Sequence, residues 1–463
     1  MVSKLKLQEN GNDVGAILNG NSEKDLESGE TNYNGMVAHL DLKQKIGVTK
    51  FSVGFVIRSL QGKDDKWDYL MAKRKLQRIV VTQISGIGYL SYIYRIQFHF
   101  DDVSQPFSAI LKVPTVMHIP TVNPLADDVF LTDFTLKLAE RHDKEIFFYE
   151  NFAKRIKHVK LATMYNSRTS FSTDSLENAC VLMEDLGIYG VMPSVPVGLT
   201  KLQVEALIRA IAEIHAISLS VPHSAELIEK LRFTSSLDQE DGQAKNAAVE
   251  NLLKLPHDYF RRHKKALERA AKENEIMVCD SHKEFGTPPV LCHGDFWSNN
   301  VFFEANPDGS PNDELYAIFD WQFAHPSTGL IDIVRLILIC VNASLKLRFL
   351  DDWLRLYYEC FADGCRRHGV RNPYTMDLVR KMFRYQYPSE MLFSYIILLN
   401  YFGRIEDEGI RTALLGRMIS SFELYNCGTR TVHHLDNSSP ATIHHLRQFI
   451  TCDNSSPATI HHP

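Results

Sequence analysis

The stretch Leu291-Cys292-His293-Gly294-Asp295-Phe296-Trp297-Ser298-Asn299-Asn300-Val301-Phe302-Phe303 holds a polar loop between two apolar ends. Pro289 to Cys292 reads as a short buried strand and Val301 to Phe303 as the next one, so the loop is pinned on both sides. A pinned loop suits a carboxylate, Asp295, and a carboxamide, Asn300, that must be held near a reacting group rather than left to wander. Further along, Leu315 to Gln322 reads as another apolar strand, ending in the carboxylate of Asp320. The two strands are expected to deliver Asp295, Asn300 and Asp320 to one place.

Phosphoryl transfer is the chemistry that wants this set. One aspartate accepts the proton of the acceptor hydroxyl, while an asparagine and a second aspartate hold Mg2+ on the nucleotide phosphates. Carboxylate and carboxamide oxygens are hard ligands of the kind Mg2+ prefers. His293, Asp295 and Asn300 follow the H-x-D-x-x-x-x-N spacing of kinase catalytic loops, with Gly294 where protein kinases carry arginine. HGDFWSNN followed by IFDWQ resembles the choline-kinase and aminoglycoside-phosphotransferase branch of the kinase fold. It is most similar to the ecdysteroid-kinase-like (CHK kinase-like) family common in insects and nematodes.

Upstream, 77–113 reads as strands at Ile79 to Val81, Tyr92 to Phe100 and Phe107 to Val113, with Asp101, Asp102, Ser104 and Pro106 turning the last hairpin. Gly86 and Gly88, between the first two strands, would let backbone N–H groups approach phosphates, although an ordinary hairpin turn reads the same way. Lys112 stands in an apolar strand, ILKVP, where an ammonium is costly without a paired anion. A helical stripe follows from Phe134 to Tyr149, in which Glu145 is the best partner and Glu140 and Glu150 are alternatives. The resemblance implies that Lys112, held by Glu145, contacts the nucleotide phosphates. Ala179 to Gly187 is an apolar strand ending in acidic residues. It resembles the hinge between lobes, where backbone groups from Glu184 to Leu186 would bind adenine.

The resemblance, carried by ILKVP, KEIFFYE, HGDFWSNN and IFDWQ in that order, implies a two-lobed, protein-kinase-like α+β fold. An antiparallel sheet with a helix would form the N-lobe over 36–185, and a larger, mainly helical C-lobe would follow over 186–427. It also implies ATP and Mg2+ as nucleotide and metal, and a small-molecule alcohol as acceptor. Steroid, choline-like amine and glycoside all stay open. His293 is expected to support Asp295, His215 to be a satisfied core histidine, and Asp332 to hydrogen-bond the loop backbone. A pseudokinase or binding module without turnover is the alternative, resting on the incomplete glycine loop. A protein kinase is disfavoured by Trp321-Gln322 after Asp320 and by the lack of an Ala-Pro-Glu segment.

The 463 residues, 44% hydrophobic, suffice for a large core. A net charge of −5 with dispersed Lys and Arg offers no basic face for nucleic acid. Eight scattered cysteines without a C-x-x-C pair read as reduced thiols of a cytoplasmic chain. The apolar runs at 331–341 and 391–399 are too short for a membrane span, which needs about 20 residues. Residues 1–35 are polar and Gly-rich and are expected to be disordered. The same is expected of 428–463, which repeats DNSSPATIHH at 436–445 and 453–462.

Overall fold

The computed structural model describes residues 16–18, 40–84, 90–117, 128–170, 176–233, 237–273 and 278–430. The chain divides into two units. One is Met1–Ile146 with Ala162–Ile188, the other Phe147–Leu161 with Tyr189–Pro463. Residues 147–161 thus belong to the second unit, although the segments on either side of them belong to the first.

The first unit is built on β1 (Ala16–Leu18), β2 (Leu76–Gln83), β3 (Ser91–Phe100), β4 (Phe107–Pro114), β5 (Met164–Arg168) and β6 (Cys180–Glu184). They form one six-stranded sheet in the order β1-β2-β3-β4-β6-β5, antiparallel throughout. In β3 the alternation that marks a half-buried strand is plain, with Tyr94, Ile96, Phe98 and Phe100 buried and their neighbours half exposed. The helices α1 (Val53–Leu60) and α2 (Asp65–Lys73) start where a side chain satisfies an otherwise unpaired N–H. Ser52 accepts from Phe55 N and Asp64 from Trp67 N. The indole of Trp67, fully buried, meets Phe98 edge-on at 4.8 Å and tilts against Phe107 at 5.1 Å. Disorder over 1–35 is corrected at Ala16–Leu18, where three apolar residues pair with Ile79 to Val81 at the sheet edge. The rest of that segment and the 431–463 tail lie outside the described residues.

The second unit is mainly helical, with α4 (Lys201–Ser220), α5 (Leu330–Cys340), α6 (Ala343–Arg367), α7 (Met376–Phe402) and α8 (Glu408–Arg430) among its helices. The helix α3 (Asp128–Asn151) precedes them and contains the unit boundary after Ile146. Thr200 and Gln203 close a reciprocal capping box at the start of α4. Every residue of α5 is buried, which accounts for a sequence that is apolar except at Asp332 and Arg335. Two small sheets carry the loop of interest. In one, β7 (Gly190–Val191), β9 (Val301–Ala305) and β10 (Pro311–Ile318) lie in the order β10-β9-β7; in the other, β8 (Val290–Cys292) pairs with β11 (His325–Ser327). Lys160 bridges Ala317 in parallel, and Ile318 N donates to Lys160 O at 3.2 Å. No helix among the described residues is long and apolar enough to cross a membrane.

Candidate active site

The loop from β8 to β9 brings Asp295 and Asn300 together. The Asn300 amide donates from Nδ2 to Asp295 Oδ2 at 2.8 Å and to the Asp295 carbonyl at 2.7 Å. With its nitrogen so committed, the carboxamide presents Oδ1, the hard atom a Mg2+ ion would need. Phe319 N donates to Asn300 O at 3.1 Å, tying the loop to the end of β10. The next residue, Asp320, has φ 64° and ψ 67°, a left-handed conformation uncommon outside glycine and a frequent mark of a functional position. Gln322 Nε2 donates to its Oδ2 at 3.0 Å. An Asn oxygen and an Asp carboxylate form a donor set that fits Mg2+.

Gly294 also sits at positive φ, +78°, and a Cβ there would lie 2.1 Å from Phe323 O and 2.6 Å from His325 Nδ1. This is why no arginine stands at that place in the loop. His293 is fully buried and both its ring nitrogens are committed. Nδ1 accepts from Asp295 N at 3.2 Å, so Nε2 carries the hydrogen and donates to Phe319 O at 2.9 Å. It supports the loop and has no nitrogen left for a substrate proton.

Asp332, in the first turn of α5, accepts from His293 N at 2.8 Å and Gly294 N at 2.9 Å, while His215 Nε2 lies 3.1 Å from its Oδ2. Burial alone would raise its pKa. The hydrogen bond of His215 and the Gly294 N–H outweigh that and hold it below the usual carboxylate value. His215 completes its bonding with the Tyr357 hydroxyl at 3.0 Å, so both residues take the supporting roles expected of them.

In the first unit, Lys112 occupies a central strand, opposite Ile93 on β3 and Val181 on β6. Its Nζ donates to Glu145 Oε2 at 2.7 Å, with both side chains buried, so Glu145 rather than Glu140 or Glu150 is the partner. Lys144 pairs with Glu140 at 2.6 Å instead. Glu184 closes β6, its N–H donating to Thr163 O at 2.8 Å and its carboxylate accepting from Thr163 N at 3.1 Å. Leu186 is buried in the single turn that follows. Gly86 and Gly88 lie outside the described residues.

Several supports went unread in the sequence. Asp185 is held by Arg95 at 2.6 and 3.2 Å and by Ser108 at 2.7 Å, fixing the segment between Glu184 and Leu186. Trp321, fully buried, stacks on Phe148 at 3.8 Å and lies 4.5 Å from the His293 ring. Arg335 donates from Nη1 to the Gly294 carbonyl and, at 3.2 Å, to Asp295 Oδ1. A cation inside the mainly apolar α5 is its only signal in the sequence, since a buried cation demands a partner.

Comparison with known proteins gives three findings. The sequence profile of the ecdysteroid kinase-like family matches residues 85–370, more than half of the chain. An uncharacterized oxidoreductase of Caenorhabditis elegans, dhs-27, is 21% identical over 361 residues, 73% of this chain; the match spans only 41% of that relative's length. Among solved structures, choline kinase from Cryptosporidium parvum has a TM-score of 0.43 at 11% identity, covering 81% of this chain and 97% of that one. Plasmodium vivax ethanolamine kinase has a TM-score of 0.40 at 12% identity, covering 87% of this chain and 97% of its own. With the loop geometry and a profile match of that extent, the chain belongs to the ecdysteroid kinase-like family.

Proposed function

We propose that the chain is an ATP- and Mg2+-dependent phosphotransferase that moves the γ-phosphoryl group to an alcohol of a small molecule, a steroid, a choline-like amine or a glycoside. The observation that carries this reading is the pairing of Asp295 with the Asn300 amide nitrogen, which holds one carboxylate oxygen and leaves an amide oxygen for a metal. Membership of the ecdysteroid kinase-like family supports it. Bound Mg2+ would neutralise the phosphate oxygens. Asn300 and Asp320 are the residues that would hold it.

Lys112, oriented by Glu145, is assigned to the nucleotide phosphates. Backbone groups from Glu184 to Leu186 are assigned to adenine, and those of Gly86 and Gly88 to the phosphates. Asp295 orients the acceptor hydroxyl and takes its proton as the oxygen attacks the γ-phosphorus in line and ADP leaves.

Purified protein with Mg2+ and ATP, tested against sterols, amino alcohols and glycosides, should release ADP in an acceptor-dependent way. Asp295→Asn should lower that turnover by about 10³-fold or more, since it removes the proton acceptor together with its orienting charge. Its Mg·ATP affinity should stay within about twofold, because the nucleotide contacts lie on other residues. Undiminished turnover in the variant would sink the assignment. Nucleotide binding without turnover in either protein against any alcohol would favour a non-catalytic binding module.

A further inference from the structure

The α5 helix handles the catalytic loop with two residues three apart, and therefore on one face. Asp332 takes the loop's donors, the N–H groups of His293 and Gly294. Arg335 takes its acceptors, the Gly294 carbonyl and Asp295 Oδ1 at 3.2 Å. The other edge of the guanidinium is gripped by Glu390 on α7, with Nε to Oε2 at 2.8 Å and Nη2 to Oε1 at 3.1 Å, a two-point fork. The Phe393 ring lies 4.4 Å from the Arg335 Cζ atom. The Arg335 side chain is 10% exposed and that of Glu390 5%.

We propose that Arg335, held in place by Glu390, is the positioning residue of the catalytic aspartate, fixing Asp295 Oδ1 while Asn300 fixes Oδ2. This deepens the phosphotransferase reading and rests on it. A carboxylate with one orienting donor can still rotate about its χ2 bond, whereas one with a donor on each oxygen cannot. Each oxygen keeps a second lone pair, so Asp295 can still accept a hydroxyl proton. Glu390 answers the Arg335 charge at two points, so the arginine acts on Asp295 chiefly by geometry and less by quenching its charge. Burial tends to lower the pKa of the guanidinium, but Glu390 and then Asp295 outweigh it, so the cation is kept. Pro388 lies in α7 two residues before Glu390.

The test uses full-length wild type, Arg335→Met, Arg335→Lys, Glu390→Leu and the double variant Arg335→Met/Glu390→Leu. Turnover is measured at saturating Mg·ATP with the panel of sterols, amino alcohols and glycosides, and Mg·ATP binding is measured by calorimetry. Arg335→Met should lower kcat by about 10²-fold, the scale of a misplaced catalytic group. Acceptor KM and Mg·ATP affinity should stay within about threefold. Glu390→Leu should cost about tenfold alone and nothing further beside Arg335→Met, because it acts only through the arginine. Arg335→Lys should recover about tenfold over Arg335→Met, its ammonium reaching the loop without forming the fork.

Should Arg335→Met fail to fold, the double variant, which removes a positive and a negative charge together, carries the measurement. Equal losses of kcat and Mg·ATP affinity, losses that multiply in the double variant, or an unchanged kcat would overturn the proposal alone. A wild type that neither turns over any acceptor nor binds Mg·ATP would overturn the phosphotransferase reading and this inference with it.

Discussion

Gly294 shows how strictly the loop is specified at the residue scale. Its φ of +78° costs an L side chain about 1–2 kcal/mol, and a Cβ would meet the Phe323 carbonyl at 2.1 Å. The obstruction is backbone rather than the end of a flexible side chain, so the loop itself must shift. Gly294→Ala should therefore destabilise the protein by about 2 kcal/mol or more in urea unfolding. It should also lower turnover in whatever protein stays folded, because Asp295 follows directly. Asp320 pays a similar conformational cost at φ 64°, but aspartate tolerates that region better than most residues. Lys112 was legible from the sequence because an ammonium in an apolar strand requires an anion. Arg335 obeys the same rule, yet its partners, Gly294, Asp295 and Glu390, sit on two separate segments that no local pattern links.

At the scale of elements, α5 acts as the clamp of the loop through Asp332. The folded protein holds this carboxyl below its ordinary value, so protonating it is harder folded than unfolded. The stability it lends is present at neutral pH and is lost as pH falls through the lowered folded-state value. Asp332→Asn, which lacks the anion throughout, should unfold at lower urea at pH 7 and show a shallower loss between pH 5 and pH 3 than wild type. Equal slopes would mean that other carboxylates dominate acid unfolding. The strands β2 and β3 follow from periodicity, since each alternates buried and exposed positions, whereas β4 and β6 follow from apolar runs that are buried on both faces. The strands β1, β5, β7 and β11 do not. They are two to five residues long, and pairing with distant partners rather than their own composition makes them strands.

At the scale of the whole molecule, of Cys180, Cys279, Cys292, Cys340, Cys360 and Cys365, all but Cys360 are buried, and all six are free thiols. Burial pushes the Cys180 thiol up to about 12 and Cys365 up to about 11, and it raises Cys292 and Cys340 as well. A thiol-specific reagent at pH 7.5 should therefore leave these four unlabelled in the native protein and label them in urea, as read by peptide mass mapping. Rapid native labelling of Cys292 or Cys340 would contradict their packing beneath the loop. The division into units was legible only in part. Nothing in the composition of 147–161 betrays that this segment belongs with the second unit. That membership has a consequence for the nascent chain. Phe148 waits for Trp321, and Lys160 for Ala317, so this segment leaves the ribosome long before its partners exist. At ordinary translation speeds the delay is about ten to thirty seconds, during which a run of aromatic side chains built for burial stays exposed. The sheet of the first unit has all its strands by Glu184, whereas 147–161 still waits for Ala317 and Trp321 at that point.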